Sequence, residues 1–471
     1  MPVEAQLVII GAGPGGYTAA FHAADLGLPV TLVDQGQNPG GVCLTRGCIP
    51  SKALLHAARV LNETKDAGNI GIEFGAPSVD IAKLRSWKDS VVSKLTGGLG
   101  QLTKKRKITY IQAEARFLNA TTLEIKKTDG TLETLTFEKA IIATGSSPAT
   151  LPFLPESPRI WDSTRALELR HIPPTMLIVG GGYIGLELGS AYAALGTQVS
   201  VVEALPALLS SADKDLADIL LRKLKKTFTA IMAGTKVLKA NASGDNVSVT
   251  FQDAQGKEWN GTYDTILVSV GRTPNTSALG LENTKIQRTD KGFIEVTDQC
   301  RTDEKNIYAI GDVTAGPLLA HKASAQAKVA AEVIAGQNRA FEPGCIPSVI
   351  FTDPELAWCG ITEQAARSKD MNITVSKFPW AASGRALTID RTDGVTKIIA
   401  DTATGRILGV GIIGVGAGDL ISEGALAVET GLKAGDLALT IHPHPTLSET
   451  IMEAAEGLFG HCTHIIKPRD H

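Results

Sequence analysis

Two stretches of the chain repeat one pattern of apolar and polar positions. Residues 7–10 form a continuous apolar run, which favours a buried strand, and glycines separate it from residues 17–26, which are typical of a helix. A second apolar run at 30–33 predicts the next strand. The same order of strand, glycines, helix and strand returns from residue 177 and ends at Glu203. Strands that alternate with helices in this way predict an α/β fold with parallel sheets.

The glycines of the first copy follow the spacing G-x-G-x-x-G, with Gly11, Gly13 and Gly16 at the fixed positions. In dinucleotide-binding folds the first glycine permits a tight turn, the second lets the backbone approach a pyrophosphate, and the third lets helix and strand pack closely. The N-terminus of the helix then faces the phosphates. Asp34, at the end of the second predicted strand, is placed to accept hydrogen bonds from ribose hydroxyls.

The second copy carries Gly180, Gly182 and Gly185, and its acidic residue is Glu203. Positions 11 and 180 differ by 169 residues, and so do positions 34 and 203. Two copies predict two dinucleotides, one a resident flavin and the other a diffusing nicotinamide nucleotide. A carboxylate at Glu203 suits a 2′-hydroxyl and repels a 2′-phosphate, and residues 204–213 contain no Lys or Arg. The pattern therefore favours NAD(H) over NADP(H).

Composition describes an ordinary globular protein with more than one domain. The 471 residues, 43% hydrophobic and 20% charged, are enough for about two to four domains. A net charge of −3 gives no reason to expect a nucleic-acid partner. No window offers about 18 consecutive apolar residues, so we expect no membrane span. Glu4 lies where a secretory signal would carry positive charge, so we expect an intracellular protein or a processed, mature form.

Cys43 and Cys48 lie close together in the sequence, directly before a stretch at 53–61 that is typical of a helix. Pro50 suits the first turn of that helix, which places Cys48 at a helix N-terminus, where the dipole favours a thiolate. Beside two nucleotide sites, this spacing predicts a redox-active disulfide. Two unremarkable reduced thiols are the alternative.

Positive charge lies near the thiol pair, at Arg46 and Lys52. We expect no metal site, because no second close pair of Cys or His completes a set of four ligands. We expect buried or idle thiols at the remaining, widely spaced cysteines, namely Cys300, Cys345, Cys359 and Cys462.

An ordered set of motifs resembles the pyridine nucleotide-disulfide oxidoreductases along essentially the whole chain. The matching segments are residues 11–16, 43–52, 143–145, 180–187, 271–275, 311–312, 320–323 and 442–449. The resemblance implies an α/β fold with two Rossmann-like dinucleotide-binding domains and a C-terminal α+β dimerisation domain. The implied boundaries are an FAD-binding domain in two parts, 1–150 and 277–345, an NAD-binding domain at 151–276, and an interface domain at 346–471.

The resemblance also implies the two cofactors, FAD and NAD, and the residues that contact them. Lys52 and Glu187 are implied to form an ion pair beside the flavin, where a charge tunes its electronics. Tyr183 lies where some relatives place a ring over the flavin, and a packed core aromatic is the alternative. The implied cofactor-binding residues are Gly11, Gly13, Gly16, Asp34, Lys52, Ala115, Thr144, Gly145, Asp312, Ala320, Gly180, Gly182, Gly185, Glu187, Glu203 and Gly271.

Near the C-terminus, His444 and Glu449 are implied to form the acid–base pair that thiol–disulfide exchange requires. Histidine suits this task because its unperturbed pKa lies near neutrality. The spacing of Thr446 and Glu449 is also that of a capping box, in which the glutamate serves the start of a helix, and both interpretations stay open. We expect His442 to be a structural neighbour and the bond between His444 and Pro445 to be a candidate for the cis form.

The thiol loop departs from the family pattern at Thr45 and Arg46, where Asn-Val is usual. We hypothesise that Arg46 favours the thiolate and makes the disulfide easier to reduce. Asp34 replaces the usual Glu, with the same chemistry on a shorter arm. Ala113 and Ala115 stand where glycines are frequent.

Within the family, the chain most resembles the members that oxidise protein-bound dihydrolipoyl groups with NAD⁺. The resemblance implies a homodimer whose active site is completed by the other subunit's C-terminal domain. It implies as substrate partner either the lipoyl-bearing acyltransferase of a 2-oxoacid dehydrogenase complex or the carrier protein of glycine cleavage. We expect such a member to be cytoplasmic in a bacterial-type cell, with a processed organellar form as the alternative.

Three other functions are less consistent with the sequence. Reduction of glutathione disulfide is disfavoured by Glu203, and reduction of mercuric ion by the lack of a C-terminal thiol pair, since only Cys462 lies in the tail. A binding or structural flavoprotein that has lost turnover is disfavoured because the four implied catalytic residues are all present. They are Cys43, Cys48, His444 and Glu449.

Overall fold

The computed structural model describes residues 3–466, which fold into alternating strands and helices. The strands are β1 (Val3–Ile10), β2 (Val30–Asp34), β3 (Thr109–Asn119), β4 (Thr122–Lys127), β5 (Leu132–Ile142), β6 (Ser146–Pro148), β7 (Ile160–Trp161), β8 (Thr175–Val179), β9 (Gln198–Glu203), β10 (Ala230–Ala233), β11 (Lys236–Ser243), β12 (Asn246–Gln252), β13 (Glu258–Tyr263), β14 (Thr265–Val268), β15 (Arg272–Pro274), β16 (Ile307–Ala309), β17 (Ser348–Ile350), β18 (Glu355–Gly360), β19 (Ile373–Pro379), β20 (Val395–Asp401) and β21 (Ile407–Gly414). The α-helices are α1 (Pro14–Asp25), α2 (Gly41–Arg46), α3 (Cys48–Asp66), α4 (Ile81–Lys105), α5 (Ser163–Leu167), α6 (Tyr183–Ala194), α7 (Lys214–Thr227), α8 (Ala320–Ile334), α9 (Glu363–Ser368), α10 (Gly384–Thr388), α11 (Ala417–Thr430), α12 (Ala434–Leu439) and α13 (Glu449–Glu456).

The first unit is built on a parallel sheet in the order β3-β2-β1-β5-β16, and β4 joins β3 to β5 by antiparallel pairing. Both faces of β1 are covered. Leu7 and Ile9 pack in one core with helices α1 and α8, whereas Val8 and Ile10 pack in a second core on the other face. This burial on both faces explains why residues 7–10 are continuously apolar rather than alternating.

The second unit repeats the arrangement with the all-parallel sheet β10-β9-β8-β14-β7. The antiparallel strands β11, β12 and β13 pack beside it. A two-stranded ribbon of β6 and β15 connects the first two units, because the chain leaves the first unit through β6 and returns through β15. The third unit is the antiparallel sheet β17-β18-β21-β20-β19, against which α11 and α13 pack.

A buried cation joins the second and third units. Lys397, on β20, has a side chain that is only 1% exposed, and it forms ion pairs with Asp213 at 3.0 Å, Asp215 at 3.1 Å and Glu363 at 2.6 Å. The two aspartates belong to the start of α7 in the second unit. Such a buried charge is tolerated because several carboxylates surround it, and its ion pairs with Asp213 and Asp215 connect the two units at this point.

Two further expectations can be compared with the structure. The peptide bond between His444 and Pro445 is cis, as predicted. Within residues 3–466, no helix combines the length and the apolar character that crossing a bilayer requires.

Candidate active site

A cavity of about 910 Å³ opens where β1, β5 and β16 end. The carboxyl ends of strands are where α/β sheets bind ligands. The lining brings the two close cysteines together with most of the predicted flavin-site residues. They are Gly11, Gly13, Asp34, Cys43, Cys48, Lys52, Ala115, Thr144, Gly145, Glu187, Asp312 and Ala320.

The three glycines of the first turn have different tasks. A Cβ added at Gly11 would lie 2.4 Å from the carbonyl oxygen of Ala143, and one added at Gly16 would lie 1.7 Å from that of Gly11. At Gly13 the nearest protein atom would be 4.0 Å away. Helix α1 begins at Pro14 without a side-chain cap. Open backbone beside uncapped N–H groups fits a pyrophosphate, so the turn suits a dinucleotide.

Asp34 is held in place by the turn itself. Its carboxylate accepts hydrogen bonds from the N–H groups of Ala12 and Gly36, both at 2.7 Å. Each carboxylate oxygen has a further lone pair. The side chain is therefore fixed in orientation and can still accept hydrogen bonds from ribose hydroxyls.

The second glycine turn has the same geometry. Glu203 accepts hydrogen bonds from Gly181 N–H at 2.7 Å and from Leu205 N–H at 2.8 Å. Gly180 has φ +109°, and a Cβ there would lie 2.5 Å from Ser269 O. A Cβ at Gly182 would meet no protein atom within 4 Å, and the helix that follows has no side-chain cap. This second turn offers the same open helix N-terminus to a second dinucleotide.

Cys43 and Cys48 lie side by side because Gly47 lets the backbone close on itself. A Cβ at Gly47 would lie 2.9 Å from Val42 O. The hydrogen bond between the two thiols, and then Lys52, lower the pKa of Cys48 to about 7 against the opposing effect of burial. The same hydrogen bond, followed by burial, raises the pKa of Cys43. The reduced pair is therefore polarised in the sense that Cys48 is the more acidic thiol and Cys43 the less acidic one.

The predicted ion pair between Lys52 and Glu187 is present, with Nζ and Oε2 2.8 Å apart. Glu187 is 3% exposed, and its carboxylate also accepts hydrogen bonds from Ser51 Oγ at 3.1 Å and from Phe351 N–H at 3.0 Å. The Lys52 ammonium lies 4.4 Å from the centre of the Phe351 ring. One buried carboxylate of the second unit thus binds residues of the first and third units beside the thiol pair.

Asp312 is positioned by two residues that the sequence did not single out for this role. Ser146 Oγ donates to Asp312 Oδ2 at 2.6 Å, and Arg272 Nε donates to Ser146 Oγ at 2.7 Å. Asn275 Nδ2 donates to the carbonyl oxygen of Thr144 at 2.9 Å. The only signal for Ser146 was that it directly follows the matched segment 143–145.

Glu449 contacts His444 and also accepts a backbone hydrogen bond from Thr446, but the helix begins at Glu449 with Ser448 as N-cap, so a full capping box with Thr446 is not formed. Glu449 Oε1 lies 2.9 Å from His444 Nδ1, while Oε2 accepts a hydrogen bond from Thr446 N–H at 2.7 Å. Burial alone would raise the pKa of Glu449, but these two contacts outweigh burial and lower it. Neither His444 nor Glu449 lines the cavity of this chain. His442, by contrast, is 5% exposed and is paired with Glu423.

Several secondary expectations change with the structure. Tyr183 lines the cavity and is 39% exposed, so it is not a packed core aromatic. Arg46 is exposed. The cation among the main causes of the thiol pKa shifts is Lys52 and not Arg46. The structure therefore gives no support to our hypothesis that Arg46 favours the thiolate. Gly271 has φ +124° at the return to the first unit and lies outside the cavity lining.

The remaining cysteines are less isolated than their spacing suggested. Cys345 and Cys359 lie close enough to shift each other's pKa, because β17 and β18 fold back on one another, and Cys345 Sγ donates to Ala425 O at 3.7 Å. Cys300 is buried, with Sγ 3.8 Å from Gln326 O. Cys462 Sγ donates to Glu453.

A family model described as "Pyridine nucleotide-disulphide oxidoreductase" matches residues 5–327, and the model of the family's dimerisation domain matches residues 346–455. The chain belongs to this family. The pyridine nucleotide-disulphide oxidoreductases use FAD and NAD(H), so the two predicted cofactors are confirmed. The two matching family models confirm the predicted fold class. The predicted domain boundaries stay predictions.

Two curated relatives within the pyridine nucleotide-disulphide oxidoreductases are named dihydrolipoyl dehydrogenase. The protein from Haemophilus influenzae is 47% identical over 98% of this chain and 96% of its own. The protein from Geobacillus stearothermophilus is 47% identical over 98% of both chains.

Solved structures of similar proteins share the fold. LpdA from Mycobacterium tuberculosis aligns with a TM-score of 0.89 at 26% identity, over 96% of this chain and 99% of that chain. The HOCl-induced flavoprotein disulfide reductase RclA from Escherichia coli aligns with a TM-score of 0.85 at 29% identity, with the same coverage.

Proposed function

We propose that this chain oxidises protein-bound dihydrolipoyl groups with NAD⁺, as the names of its curated relatives suggest. The observation that carries the proposal is the position of Cys43 and Cys48 together in the wall of the cavity, beside the ion pair of Lys52 and Glu187. Bound FAD supplies the two-electron relay between this thiol pair and the nicotinamide. The first glycine turn with Asp34 would hold the flavin nucleotide, and the second turn with Glu203 would hold NAD(H).

The reaction begins from the disulfide form of the pair. A substrate thiolate forms a bond to Cys43 Sγ and breaks the bond between Cys43 and Cys48, so that Cys48 leaves as a thiolate. A thiol of low pKa is the faster leaving group, and the lower pKa belongs to Cys48. The second substrate thiol then attacks the sulfur of the substrate in the mixed disulfide. The oxidised substrate departs, and Cys43 takes up a proton.

His444 and Glu449 account for the protons of this exchange. The carboxylate of Glu449 holds Nδ1 of the ring, which leaves Nε2 of His444 free to accept the proton of a substrate thiol. Because its pKa is lowered, Glu449 stays ionised and stabilises the imidazolium that forms. The proton of one substrate thiol passes through Nε2 to Cys43 when the oxidised substrate leaves, and the proton of the other substrate thiol is released to solvent.

A homodimer completes the site in this proposal. The acid–base pair lies outside the cavity of its own chain, and the third unit matches the family's dimerisation domain. We infer that a two-fold axis brings the partner subunit's His444 to Cys43, which makes each active site a product of two chains.

The substrate partner in this proposal carries a lipoyl group, either on an acyltransferase of a 2-oxoacid dehydrogenase complex or on the carrier protein of glycine cleavage. The bacterial sources of the curated relatives support work in a bacterial-type cytoplasm. Fractionation of the source cells would test this location.

A substrate panel tests the proposed activity. Purified holoenzyme is supplied with dihydrolipoamide, glutathione disulfide or mercuric ion, each with NAD(H) and with NADP(H). We expect turnover with dihydrolipoamide and NAD⁺. Activity confined to glutathione disulfide and NADPH would overturn the proposal, and so would a purified protein without flavin absorption.

A further inference from the structure

A cluster of metal-ligating side chains lies at the C-terminal end of the described chain, away from the cavity. Glu453 and Glu456 occupy one side of helix α13, and the tail that follows brings Cys462 and His464 back to them. The ligand atoms of Glu453, Glu456 and Cys462 all lie within 4.8 Å of one another. Cys462 Sγ is 2.6 Å from Glu453 Oε2, and His464 Nδ1 contacts Glu453 Oε1.

The central carboxylate of this cluster is buried, which separates it from ordinary surface acids. Glu453 is 4% exposed. Its neighbour Glu456 has an oxygen, Oε2, that is buried and has no hydrogen-bond partner among residues 3–466. A buried carboxylate oxygen without a partner is costly. Two carboxylates therefore share one partly buried site, and one of their oxygens has no hydrogen-bond donor within the described part of the chain.

We propose that the cluster of Glu453, Glu456 and Cys462, completed by His464, which contacts Glu453, forms a binding site for a divalent cation of the zinc type. A thiolate, an imidazole and two carboxylates are ligands that Zn²⁺ accepts, and four protein ligands make a closed, structural site. On binding, the Cys462 thiol gives its proton to solvent and forms the metal–sulfur bond, while His464 binds through neutral Nδ1. The His464 side chain is 58% exposed, which gives the ion a path from solvent.

The site would connect the tail to the acid–base pair. Helix α13 begins at Glu449, the residue that holds His444. A metal bound between this helix and residues 462–464 would fasten the tail along the same helix. This departs from our prediction from sequence that the chain has no metal site, because Cys462 and His464 are paired with a helix that precedes them rather than with a second Cys/His pair.

Metal content of the holoenzyme tests the proposal independently of turnover. The protein, with its flavin bound and the pair of Cys43 and Cys48 oxidised so that these thiols cannot bind metal, is treated with a chelator and then dialysed against limiting Zn²⁺. We expect about one Zn²⁺ per chain, and a rise in Tm on addition of the metal. Competition with a chromophoric chelator gives the Kd.

Three variants and a matched control test which side chains bind the Zn²⁺ ion. Cys462→Ser, His464→Ala and Glu456→Gln should each weaken Zn²⁺ binding by more than the roughly 10- to 100-fold that loss of an outer-shell partner costs. His461→Ala removes an exposed imidazole from the same tail and should leave the Kd unchanged. Flavin absorption and Tm report whether each variant folds.

The proposal is overturned if the wild-type chain takes up no Zn²⁺, or if the bound amount is unchanged in all three variants. The second result would show that the metal binds elsewhere, for example at Cys345 and Cys359. Because the measurement needs no substrate, its outcome is separate from that of the activity panel.

Discussion

Asp34 and Glu203 make equivalent contacts in the two nucleotide-binding units: each carboxylate accepts a hydrogen bond at 2.7 Å from the N–H group that follows the first glycine of its turn. Each also accepts a hydrogen bond from the N–H group two residues after the acidic residue itself, Gly36 for Asp34 and Leu205 for Glu203. The two carboxylates therefore fix their turns in the same way.

Replacing each carboxylate by its amide should affect the binding of one cofactor and leave the binding of the other unchanged. Glu203→Gln loses hydrogen bonds to a charged group, so we expect KM for NADH to rise about tenfold while flavin content stays unchanged. Asp34→Asn should lower the fraction of chains that retain flavin and leave KM for NADH in the flavin-loaded fraction unchanged. Steady-state kinetics and flavin absorption measure both. Equal flavin loss in the two variants would contradict the assignment.

The polarised thiol pair predicts a pH dependence for the reduced enzyme. Above a pH of about 7, Cys48 is mainly thiolate, so its alkylation rate should rise through that pH and then level off. Cys43→Ala removes the hydrogen bond that contributes most to this lowering, so the midpoint should move upward. We expect the wild-type enzyme to develop a long-wavelength thiolate–flavin absorption after one equivalent of NADH, and Cys48→Ser should lack both this absorption and the fast alkylation. Persistence of that absorption in Cys48→Ser would contradict the role of Cys48.

Lys52 and Arg46 can be compared directly as sources of positive charge. Lys52→Gln should raise the pKa of Cys48, because it removes a cation whose charge lowers that pKa. Arg46→Val should leave it nearly unchanged. The measurement is the pH midpoint of thiolate formation, with the disulfide potential as a second readout. A larger shift in Arg46→Val than in Lys52→Gln would restore our original hypothesis for Arg46.

The two histidines of the C-terminal loop should respond differently to the same substitution. His444→Gln removes a proton acceptor, so turnover of dihydrolipoamide should fall by roughly 10²- to 10⁴-fold. His442→Gln breaks a buried pair with Glu423, and we expect it to lower the free energy of unfolding by about 1–3 kcal/mol with little effect on kcat. The reverse pattern would assign the base to His442.

A mixed dimer tests whether the acid–base pair acts across subunits. Chains carrying Cys43→Ser and chains carrying His444→Gln are co-expressed with different affinity tags, and the heterodimer is selected through both tags. If the pair acts in the partner's site, one of two sites is intact and about half of the wild-type activity returns. If the pair acts within its own chain, the heterodimer stays as inactive as the parent homodimers.

The sequence predicted the nucleotide turns well because their geometry is local. Gly11 and Gly16 are required by collisions with backbone a few residues away or on the adjacent strand, and such constraints leave a fixed spacing in the sequence. The start of α3 at Cys48 was predictable for the same reason, from Pro50 and the thiol spacing.

Contacts between units were harder to predict because no local rule encodes them. The hydrogen bond from Ser146 to Asp312 joins positions 166 residues apart, and the pairing of Cys345 with Cys359 depends on two strands folding back on each other. The two interpretations of Glu449 could not be separated in the sequence, because its two carboxylate oxygens serve both contacts.

The position of Glu187 has a consequence for the coupling between the second glycine turn and the thiol pair. Its carboxylate binds Lys52 from the first unit and Phe351 N–H from the third, while the residue itself belongs to the helix that follows the second glycine turn. A rotation of the second unit would change these contacts and, through Lys52, the acidity of Cys48. By thermodynamic linkage, any nucleotide that favours one rotation must alter the thiol equilibrium, and oxidation of the thiols must alter nucleotide affinity by the same factor.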